Sequence, residues 1–419
     1  MAETNVSGSI LVIGGGISGL TTAVEAAEAG YKVILVEKEP FLGGRVARIN
    51  KYYTKLCPPT CGLEINFKRI KKNPNIQCFT MAEVEAISGV EGDFEATIKI
   101  NPRYVNENCT ACGKCAEVCV TEIPNKLNYG IDKIKAAYIP HPLAFPMRYM
   151  IAPEIIGTDE AKKCLEACKY DAIDLDMKQE TMTVKVGAVI VATGWDPYDA
   201  TKIDNLGFGK CQNVITNVIM ERLASPSGPT EGKIVRPSDG KEVKNIIFVQ
   251  CAGSRDENHL PYCSSVCCLA SLKQATYVRE QYPDSKVTIF YIDVRAIGKF
   301  EGFYTKVAED ENVSLIKGKV AKVEEDPATG DVVVEVEDTM KGDKIKATAD
   351  MVVLATGIVP QLPGINIALT CDEFGFIVSD SSKKGIYGAG CVKKPTGVAQ
   401  SVQDATGAAL KAIQSIVRR

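Results

Sequence analysis

The sequence predicts an α/β protein with two β-α-β dinucleotide-binding domains and a cysteine-rich segment inserted into the first. Three observations support this prediction. A strand, a glycine-rich turn and an alanine-rich helix begin at residue 9, and a second strand-loop-helix-strand pattern begins near residue 244. Between them, residues 101–178 contain six cysteines and six prolines, which interrupt the hydrophobic pattern.

Composition narrows the possible classes of function. The chain has 419 residues and a net charge of -3, which argues against a nucleic-acid partner. It has no apolar run near the roughly 20 residues that span a bilayer, and its N-terminus lacks a basic leader region. We therefore expect a cytoplasmic protein, and the family resemblance given below implies that it meets the inner membrane only through partner subunits. Sixteen cysteines and two histidines predict metal centres with thiolate ligands, either iron-sulfur clusters or zinc.

The first β-α-β pattern comprises a strand at 9–13, a helix at 20–29 and a strand at 31–36. Gly14 permits a tight turn, Gly16 lets a pyrophosphate approach the backbone, and Gly19 lets the helix lie close to the strand. Glu37 follows Gly19 by 18 residues, where an acid accepts a hydrogen bond from a ribose hydroxyl. The predicted contacts in this motif are Gly14, Gly16, Ile17, Ser18, Gly19, Glu37 and Lys38.

Further segments indicate that the dinucleotide is FAD. Gly43-Gly44-Arg45 resembles the second flavin-contacting signature of glutathione-reductase-like flavoproteins. Residues 189–194 and 352–357 resemble the paired Ala-Thr-Gly strand ends of that superfamily, and 385–390 resembles its C-terminal flavin segment, with Cys391 where an Asp is usual. The resemblance implies an FAD domain formed by 1–100, 179–235 and 349–419. It adds as contacts Gly44, Arg45, Val84, Ala192, Thr193, Gly194, Gly390, Cys391 and Ala399.

The insert, residues 101–178, has the cysteine spacing of a bacterial ferredoxin. Cys109-x2-Cys112-x2-Cys115-x3-Cys119 matches this spacing, although Val120 replaces the usual proline. The spacing predicts a 4Fe-4S cluster, with zinc or free thiols as the alternative.

The second half of the ferredoxin repeat is incomplete. It retains Cys164-x3-Cys168, but Thr158 and Ala161 occupy the two other ligand positions. In two-cluster ferredoxins the fourth cysteine of each run binds the other run's cluster, so Cys119 would belong to the lost second cluster. We therefore expect one cluster in the insert, with Cys119 and Cys164 unligated. Its ligands would be Cys109, Cys112, Cys115 and Cys168.

The second β-α-β pattern, within 236–348, predicts strands at 244–250 and 287–293 and a helix at 264–281. Its loop has no G-x-G-x-x-G and instead contains Cys251, Cys263, Cys267 and Cys268. We expect no NAD(P)H binding there, because these residues lack the glycines that let a pyrophosphate approach. Cys263 and Cys267, four residues apart, are predicted to share one helical face, with Cys268 about 100° further round. The four thiolates predict a second 4Fe-4S cluster, with buried core thiols as the alternative.

These cysteines lie in a segment that is similar to the A subunit of heterodisulfide reductase. The similar residues include Gln250-Cys251-x-Gly253-Ser254-Arg255, residues 261–268, and Lys273-Gln274-Ala275, and the resemblance extends over nearly the whole chain. It implies FAD, an unusual 4Fe-4S cluster on the four cysteines and a catalytic Lys273 close to the flavin ring, making two clusters in total.

Two features resemble the short A subunit of the quinone-interacting membrane-bound oxidoreductase of sulfate reducers. The sequence stops at Arg419 without a C-terminal ferredoxin module, and its insert is degenerate. This resemblance implies a relay between a membrane quinone-linked module and adenylylsulfate reductase. The implied partners are a quinone-reactive haem subunit together with a paralogous subunit that contains flavin and iron-sulfur clusters.

Several alternatives remain open from the sequence. One is a bifurcating flavin subunit of the heterodisulfide reductase type. Another is a freestanding NAD(P)H-dependent flavin reductase, similar to the small subunit of glutamate synthase. A third is an adaptor whose clusters only support folding. Cys57 and Cys61 could form a redox disulfide, bind a cluster with other thiols, or have a structural role.

Overall fold

The computed structural model describes residues 7–340, 342–362, 364, 369–379 and 384–417. The chain divides into two compact units. The first comprises Met1–Arg48, Thr60–Trp195 and Pro360–Arg419, and the second comprises Ile49–Pro59 and Asp196–Val359. The five-segment division expected from the sequence stays a prediction.

A five-stranded parallel sheet forms the centre of the first unit. In spatial order, its strands are Ile386–Gly388, Ala188–Val191, Ser9–Ile13, Lys32–Glu37 and Ile76–Thr80. The central strands are runs of Ile, Leu and Val, as expected for a sheet covered on both faces. The helix Ile17–Glu28 packs against Val398–Val417 and against Thr60–Lys72. The first helix therefore begins three residues before its predicted start, because the turn that precedes it contains only 14–16.

An antiparallel sheet completes the flavin-type architecture of this unit. Its strands are, in order, Glu180–Val186, Asp93–Ile100 and Ala82–Val90. The apolar face of this sheet contributes Val84, Phe94 and Ile98 to a core shared with Leu11 and Val189 of the parallel sheet. Alternation along the strands leaves their other face polar and exposed.

The insert folds as a small α+β segment of the first unit. Its helices are Lys114–Val118 and Asp159–Ala167, and its paired strands are Glu122–Pro124 with Lys133–Lys135 and Ala137–Tyr138 with Met150–Ile151. Thr158 begins the second helix as its N-cap, since its Oγ1 accepts a hydrogen bond from the Ala161 N–H at 3.4 Å. Thr158, which occupies a position where a two-cluster ferredoxin has a ligand, thus stabilises the start of the helix Asp159–Ala167.

A seven-stranded sheet forms the second unit. In spatial order, its strands are Val214–Thr216, Met351–Thr356, Asn245–Ala252, Lys286–Tyr291, Val313–Glu325, Val332–Asp338 and Lys344–Ala349. The first five strands are parallel, and the last two continue antiparallel. The helices of this unit are Asn217–Leu223, Cys267–Gln281 and Glu301–Ala308. Short strands at Trp195–Pro197 and Ile358–Pro360 lie where the chain passes from one unit to the other.

One sequence prediction for the second unit was wrong. The helix begins at Cys267 and not at residue 264, so Cys263 does not share a helical face with Cys267. The reason is local, because Ser265 adopts a left-handed conformation with φ of 62°, which interrupts a helix before it can include Cys263.

Short 3-10 helices connect several of these elements. They are Gly44–Arg48, Lys126–Asn128, Pro153–Ile155, Ala200–Lys202, Gly298–Phe300 and Gly390–Val392. Within the described ranges, the structure contains no helix with both the length and the apolar character that a membrane span requires.

Candidate functional site

The first glycine-rich turn is shaped to receive a phosphate group. Gly14 has φ of 105°, and its N–H donates to the Val36 carbonyl at 2.8 Å. A Cβ on Gly19 would lie 1.8 Å from the Gly14 carbonyl oxygen, so a larger residue there would displace the helix. At Gly16 a Cβ would meet only the Gly44 Cα, at 3.9 Å, so the backbone is open on that side. The residues therefore fit a dinucleotide pyrophosphate at this turn.

Glu37 is buried beneath this turn. Its carboxylate accepts hydrogen bonds from the Gly15 N–H at 2.6 Å and from the Glu39 N–H at 2.8 Å. Burial raises the pKa of Glu37 to about 7, although both backbone donors oppose the rise. The Glu37 carboxylate thus stabilises the loop through these hydrogen bonds. Lys38, the next residue, is exposed. The predicted contact of Glu37 with a ribose hydroxyl stays a prediction.

Gly44 and Arg45 lie beside the same turn. A Cβ on Gly44 would lie 2.9 Å from the Gly16 Cα. Arg45 Nε donates to the Trp195 carbonyl at 3.0 Å, and its Nη1 donates to the Tyr129 hydroxyl at 3.1 Å. Its guanidinium also lies over the Trp195 ring, 5.3 Å from the centroid. Sequence reasoning missed Tyr129, because this residue of the insert carries no flavin motif.

The Ala-Thr-Gly segment approaches the turn from the neighbouring strand. The Ala192 carbonyl oxygen lies 2.5 Å from the position that a Cβ on Gly14 would take. The Thr193 hydroxyl donates to the Gln361 carbonyl, and the Gly194 carbonyl accepts from the Gln361 N–H at 3.0 Å. The structure therefore places Ala192 beside the predicted flavin loop. Hydrogen bonds to Gln361 connect Thr193 and Gly194 to the C-terminal part of the first unit.

The C-terminal flavin segment meets the start of the first helix. A Cβ on Gly390 would lie 2.1 Å from Ser18 Oγ, which places these two predicted contacts together. The Gly390 N–H donates at 2.8 Å to Asp404, which also pairs with Lys393 at 2.6 Å. Cys391 is buried and donates to the Thr396 carbonyl at 3.3 Å.

Asp404 was not predicted, and it supplies a carboxylate near the position where Cys391 replaces the usual Asp. The sequence signal that could have identified Asp404 is an acidic residue on the inner side of the helix Val398–Val417.

Two predicted contacts lie elsewhere in the first unit. Val84 is buried in the core below the antiparallel sheet, and Ala399 is exposed near the start of Val398–Val417.

The cysteines of the insert separate into two groups. One cavity is lined by the four predicted cluster ligands, which are Cys109, Cys112, Cys115 and Cys168. Tyr149 and Tyr170 also line this cavity. Cys119 and Cys164 are fully buried and do not line it. The Ala137 N–H donates to Cys119 Sγ at 3.3 Å, and Cys164 Sγ donates to the Cys115 carbonyl at 3.5 Å. Hydrogen bonds thus occupy the two thiols that the sequence assigned to no cluster.

The donor set of this cavity suits an iron-sulfur cluster. All four candidate ligands that line it are cysteine thiols, and a four-iron cube takes one thiolate at each of its corners. Burial raises the pKa of Cys115 to about 11, so a thiolate there needs a positively charged partner such as iron.

Four cysteines of the second unit, Cys251, Cys263, Cys267 and Cys268, lie at or before the start of one helix. The Cys251, Cys267 and Cys268 thiols interact directly, and Cys251 has φ of 58° at an irregularity near the end of its strand. The hydrogen bond from Cys267, helped by the Arg295 N–H, lowers the pKa of Cys268 to about 7. The Arg295 side chain interacts electrostatically with both Cys263 and Cys268. Hydrogen bonds among the thiols also lower the pKa of Cys251 and raise that of Cys267. The setting therefore favours the thiolate, the form that binds iron, at Cys251 and Cys268.

Lys273 is buried on the same helix and has a carboxylate partner. Its Nζ lies 2.9 Å from Glu221 Oε1 and donates to the Lys51 carbonyl at 2.7 Å. Glu221 also accepts from Gln274 Nε2 at 2.6 Å and from the Asn50 N–H at 2.9 Å. Glu221 was not predicted, because its sequence context carries no motif. The catalytic role of Lys273 stays a prediction.

Known oxidoreductase subunits resemble this chain in sequence over nearly its whole length. The family model for FAD dependent oxidoreductases matches residues 9–55, the segment that contains the glycine-rich turn, and confirms the FAD prediction. The iron-sulfur A subunit 2 of CoB--CoM heterodisulfide reductase from Methanopyrus kandleri is 40% identical over 99% of this chain and 65% of its own length. The chain is a homologue of the heterodisulfide reductase A subunits. The resemblance noted in the sequence is thus confirmed.

A second homologue gives the same result. The A subunit of the H(2):CoB-CoM heterodisulfide,ferredoxin reductase of Methanothermobacter thermautotrophicus is 38% identical over 100% of this chain and 65% of its own length. The chain therefore spans a little under two thirds of these relatives. The iron-sulfur designation of the first homologue agrees with the predicted thiolate clusters.

Solved structures agree on the fold. Thioredoxin reductase of T. acidophilum superimposes with a TM-score of 0.54 at 15% identity, covering 98% of both chains. Lactococcus lactis thioredoxin reductase gives 0.54 at 14% identity, covering 98% of this chain and 99% of that one. The predicted two-domain flavoprotein fold of the thioredoxin-reductase type is confirmed.

Proposed function

We propose that this chain is the FAD- and iron-sulfur-containing electron-transfer subunit of a heterodisulfide-reductase-type complex. The observation that carries the proposal is the loop of the second β-α-β unit. Where a nicotinamide-dependent flavoprotein has glycines, this loop and the strand end and helix start on either side of it have cysteines. The thiols of three of them, Cys251, Cys267 and Cys268, interact directly. The homology over nearly the whole chain supports the same function.

The cofactors would be held by residues already described. The turn at Gly14–Gly19 and Arg45 would bind FAD, and the two cysteine groups would each bind one 4Fe-4S cluster. FAD exchanges electrons in pairs or singly, whereas the clusters exchange single electrons, so together they join two-electron and one-electron chemistry. The protein's own contribution is to bind these groups, exclude water from Cys267 and Cys268, and keep the Lys273 ammonium beside Glu221.

The relatives favour this function over the quinone-linked relay that the short length and degenerate insert suggested. The names of the two homologues refer to CoB-CoM heterodisulfide and ferredoxin, and neither refers to sulfate or quinone. We therefore propose other subunits of a heterodisulfide-reductase-type assembly as the partners of this chain. The substrate oxidised or reduced at the far end of that assembly would bind to those subunits.

The proposal is tested by asking which donor reduces the flavin. The anaerobically purified full chain is mixed in a stopped-flow instrument with NADH, NADPH or reduced ferredoxin, and the flavin absorbance is followed. We expect reduced ferredoxin to bleach the flavin and both nicotinamides to leave it oxidised, because the second loop lacks the pyrophosphate-binding glycines. Rapid bleaching by NADPH would instead support a nicotinamide-dependent flavin reductase.

A matched variant separates electron transfer from an adaptor role. Cys267→Ser removes one thiolate from the second unit and leaves the first unit's turn unchanged. We expect this variant to retain FAD but to lose electron transfer between ferredoxin and the flavin. If transfer continues at the wild-type rate without the cluster, the clusters serve only to fold the protein.

The proposal also includes one cluster in the insert. Restoring the missing positions with Thr158→Cys and Ala161→Cys should raise the iron content by about four atoms per chain. An unchanged iron content in a double variant that folds normally would mean that the wild-type insert already contains two clusters.

A further inference from the structure

Arg103 is a buried cation whose side chain contacts only neutral acceptors. It is 5% exposed, and its Nη1 donates to the Arg148 carbonyl at 3.4 Å. Its Nη2 donates to Thr80 Oγ1 at 2.9 Å and to the Pro40 carbonyl. Among the described residues, no carboxylate forms an ion pair with Arg103. Because an unpaired buried charge is costly, a negative group of another kind is expected nearby.

The surroundings of Arg103 point to the cavity of the insert. Val105, two residues further on, lines that cavity together with Cys109. The Arg148 carbonyl, which accepts from Arg103 Nη1 at 3.4 Å, belongs to the residue just before Tyr149, which also lines the cavity. Two arginines thus stand next to segments that line the cavity, and Arg148 in turn acts electrostatically on Arg103.

The nearby acids are already engaged in other contacts. Glu37 accepts hydrogen bonds from the Gly15 and Glu39 N–H groups, and the Glu39 carboxylate pairs with Arg48 at 3.6 Å. Cys78 and Tyr138 also interact with Arg103, but burial raises the pKa of each to about 12, so both stay neutral. The cysteines of the cavity are therefore the remaining source of negative charge close to Arg103. As thiols they are neutral, so they provide that charge only when they bind a metal.

A 4Fe-4S core bound by four thiolates is an anion, because the thiolate charges outnumber the positive charge of the core, and reduction adds one more negative charge. We propose that Arg103 is the counter-charge of the insert's cluster and, with Arg148, raises the midpoint potential of that cluster. The proposal rests on the proposed function, since it requires a cluster at these cysteines. A nearby cation stabilises the reduced form more than the oxidised form, so the cluster accepts an electron more readily.

The test is a redox titration of the full chain with its clusters, monitored by electron paramagnetic resonance. The signal of the insert's cluster is identified by its loss in Cys112→Ser. Arg103→Met keeps much of the side-chain volume but removes the charge, and we expect it to shift the midpoint potential of this signal to more negative values. Arg103→Lys keeps the charge and should retain most of the wild-type potential.

Iron content and melting temperature distinguish tuning from a structural role. A structural role would lower both quantities in the Lys and Met variants alike, because both lose the guanidinium hydrogen bonds, and the potential of intact clusters would not change. Equal potentials in the wild type and Arg103→Met would overturn the proposal. If Arg103→Met does not fold, Arg148→Gln on the half-buried neighbour should give a smaller negative shift.

The outcome also distinguishes this inference from the proposed function. A wild-type chain that binds no iron at the insert would overturn both. A wild-type chain with an intact cluster, and no change of potential in either arginine variant, would overturn only the role of Arg103.

Discussion

The two β-α-β units of this chain share a pattern of strand, loop, helix and strand but differ in the loop. In the first unit the strand ends at Ile13 and the helix begins at Ile17, so only 14–16 lie between them. In the second unit the strand ends at Ala252 and the helix begins at Cys267, which leaves 253–266 as the loop. The short loop places the helix N-terminus where it would meet the phosphate of a bound dinucleotide, whereas the long loop leaves room for the thiols of the proposed cluster.

This difference shows how one framework can hold two kinds of redox group. Glycines let a ligand approach the backbone, so their contribution is the absence of side chains. Cysteines contribute side chains and need a loop that turns them inwards, as the left-handed backbone at Cys251 and Ser265 does here. The same pattern of strand, loop, helix and strand would therefore serve nucleotide binding in one unit and, in our proposal, metal binding in the other.

The largest expected effect concerns the second loop. Cys267→Ser should remove about four irons per chain and leave the FAD content unchanged, because a buried cluster does not retain full occupancy without one thiolate. Iron and flavin assays on the purified protein measure both quantities. Cys211→Ser is the matched control, since Cys211 is buried in the core of the same unit and should keep all iron. Equal iron loss in both variants would contradict the assignment.

The next effect concerns the helix that follows this loop. Glu221→Gln should lower the free energy of unfolding by about 3–5 kcal/mol, because it leaves the Lys273 ammonium buried without a counter-charge. Urea denaturation measures the change. The double variant Glu221→Gln/Lys273→Met should recover part of this loss, because it removes the uncompensated charge. If the single and double variants are equally unstable, the ion pair is not the cause.

The first loop should make the stability of the protein depend on pH. The pKa of Glu37 is raised to about 7, above the unfolded value, so its favourable contribution is complete below pH 4.5 and is lost as the pH rises through 7. The flavin-free protein should lose about 3 kcal/mol of stability across this range from Glu37 alone. Urea denaturation at pH 5 and pH 8 checks this. Glu37→Gln should show a weaker dependence, and an equal dependence would contradict the assignment.

The smallest expected effect on stability concerns the packing of the first turn. Gly19→Ala should cost about 1–3 kcal/mol and abolish FAD binding, because the new methyl group would lie 1.8 Å from the Gly14 carbonyl oxygen. Thermal unfolding and the flavin content of the purified protein are the measurements. Gly62→Ala is the control, since a Cβ at that helical glycine meets no atom within 4 Å. Normal FAD content in Gly19→Ala would show that the helix can shift without loss of FAD binding, which would contradict this prediction.

Much of the fold could be predicted because its signals are local. The buried strands at 9–13 and 245–252 are continuous apolar runs, and the glycine spacing identifies the first turn without any distant residue. The ferredoxin spacing likewise predicted which four cysteines of the insert line one cavity and which two do not. The helix start at Cys267 was missed because helical periodicity alone does not show that Ser265 adopts a left-handed conformation.

The sequence by itself determined the two nucleotide-type units, the cysteines that group together in the insert and the glycine-rich turn, because each depends on residues close together in the chain. Only the tertiary structure decided the partners of those residues. Glu221 meets Lys273, Tyr129 meets Arg45, and Asp404 meets the backbone at Gly390 across separations of 52, 84 and 14 residues. A buried charge takes whichever partner the packed chain brings within reach, and no local pattern records that choice.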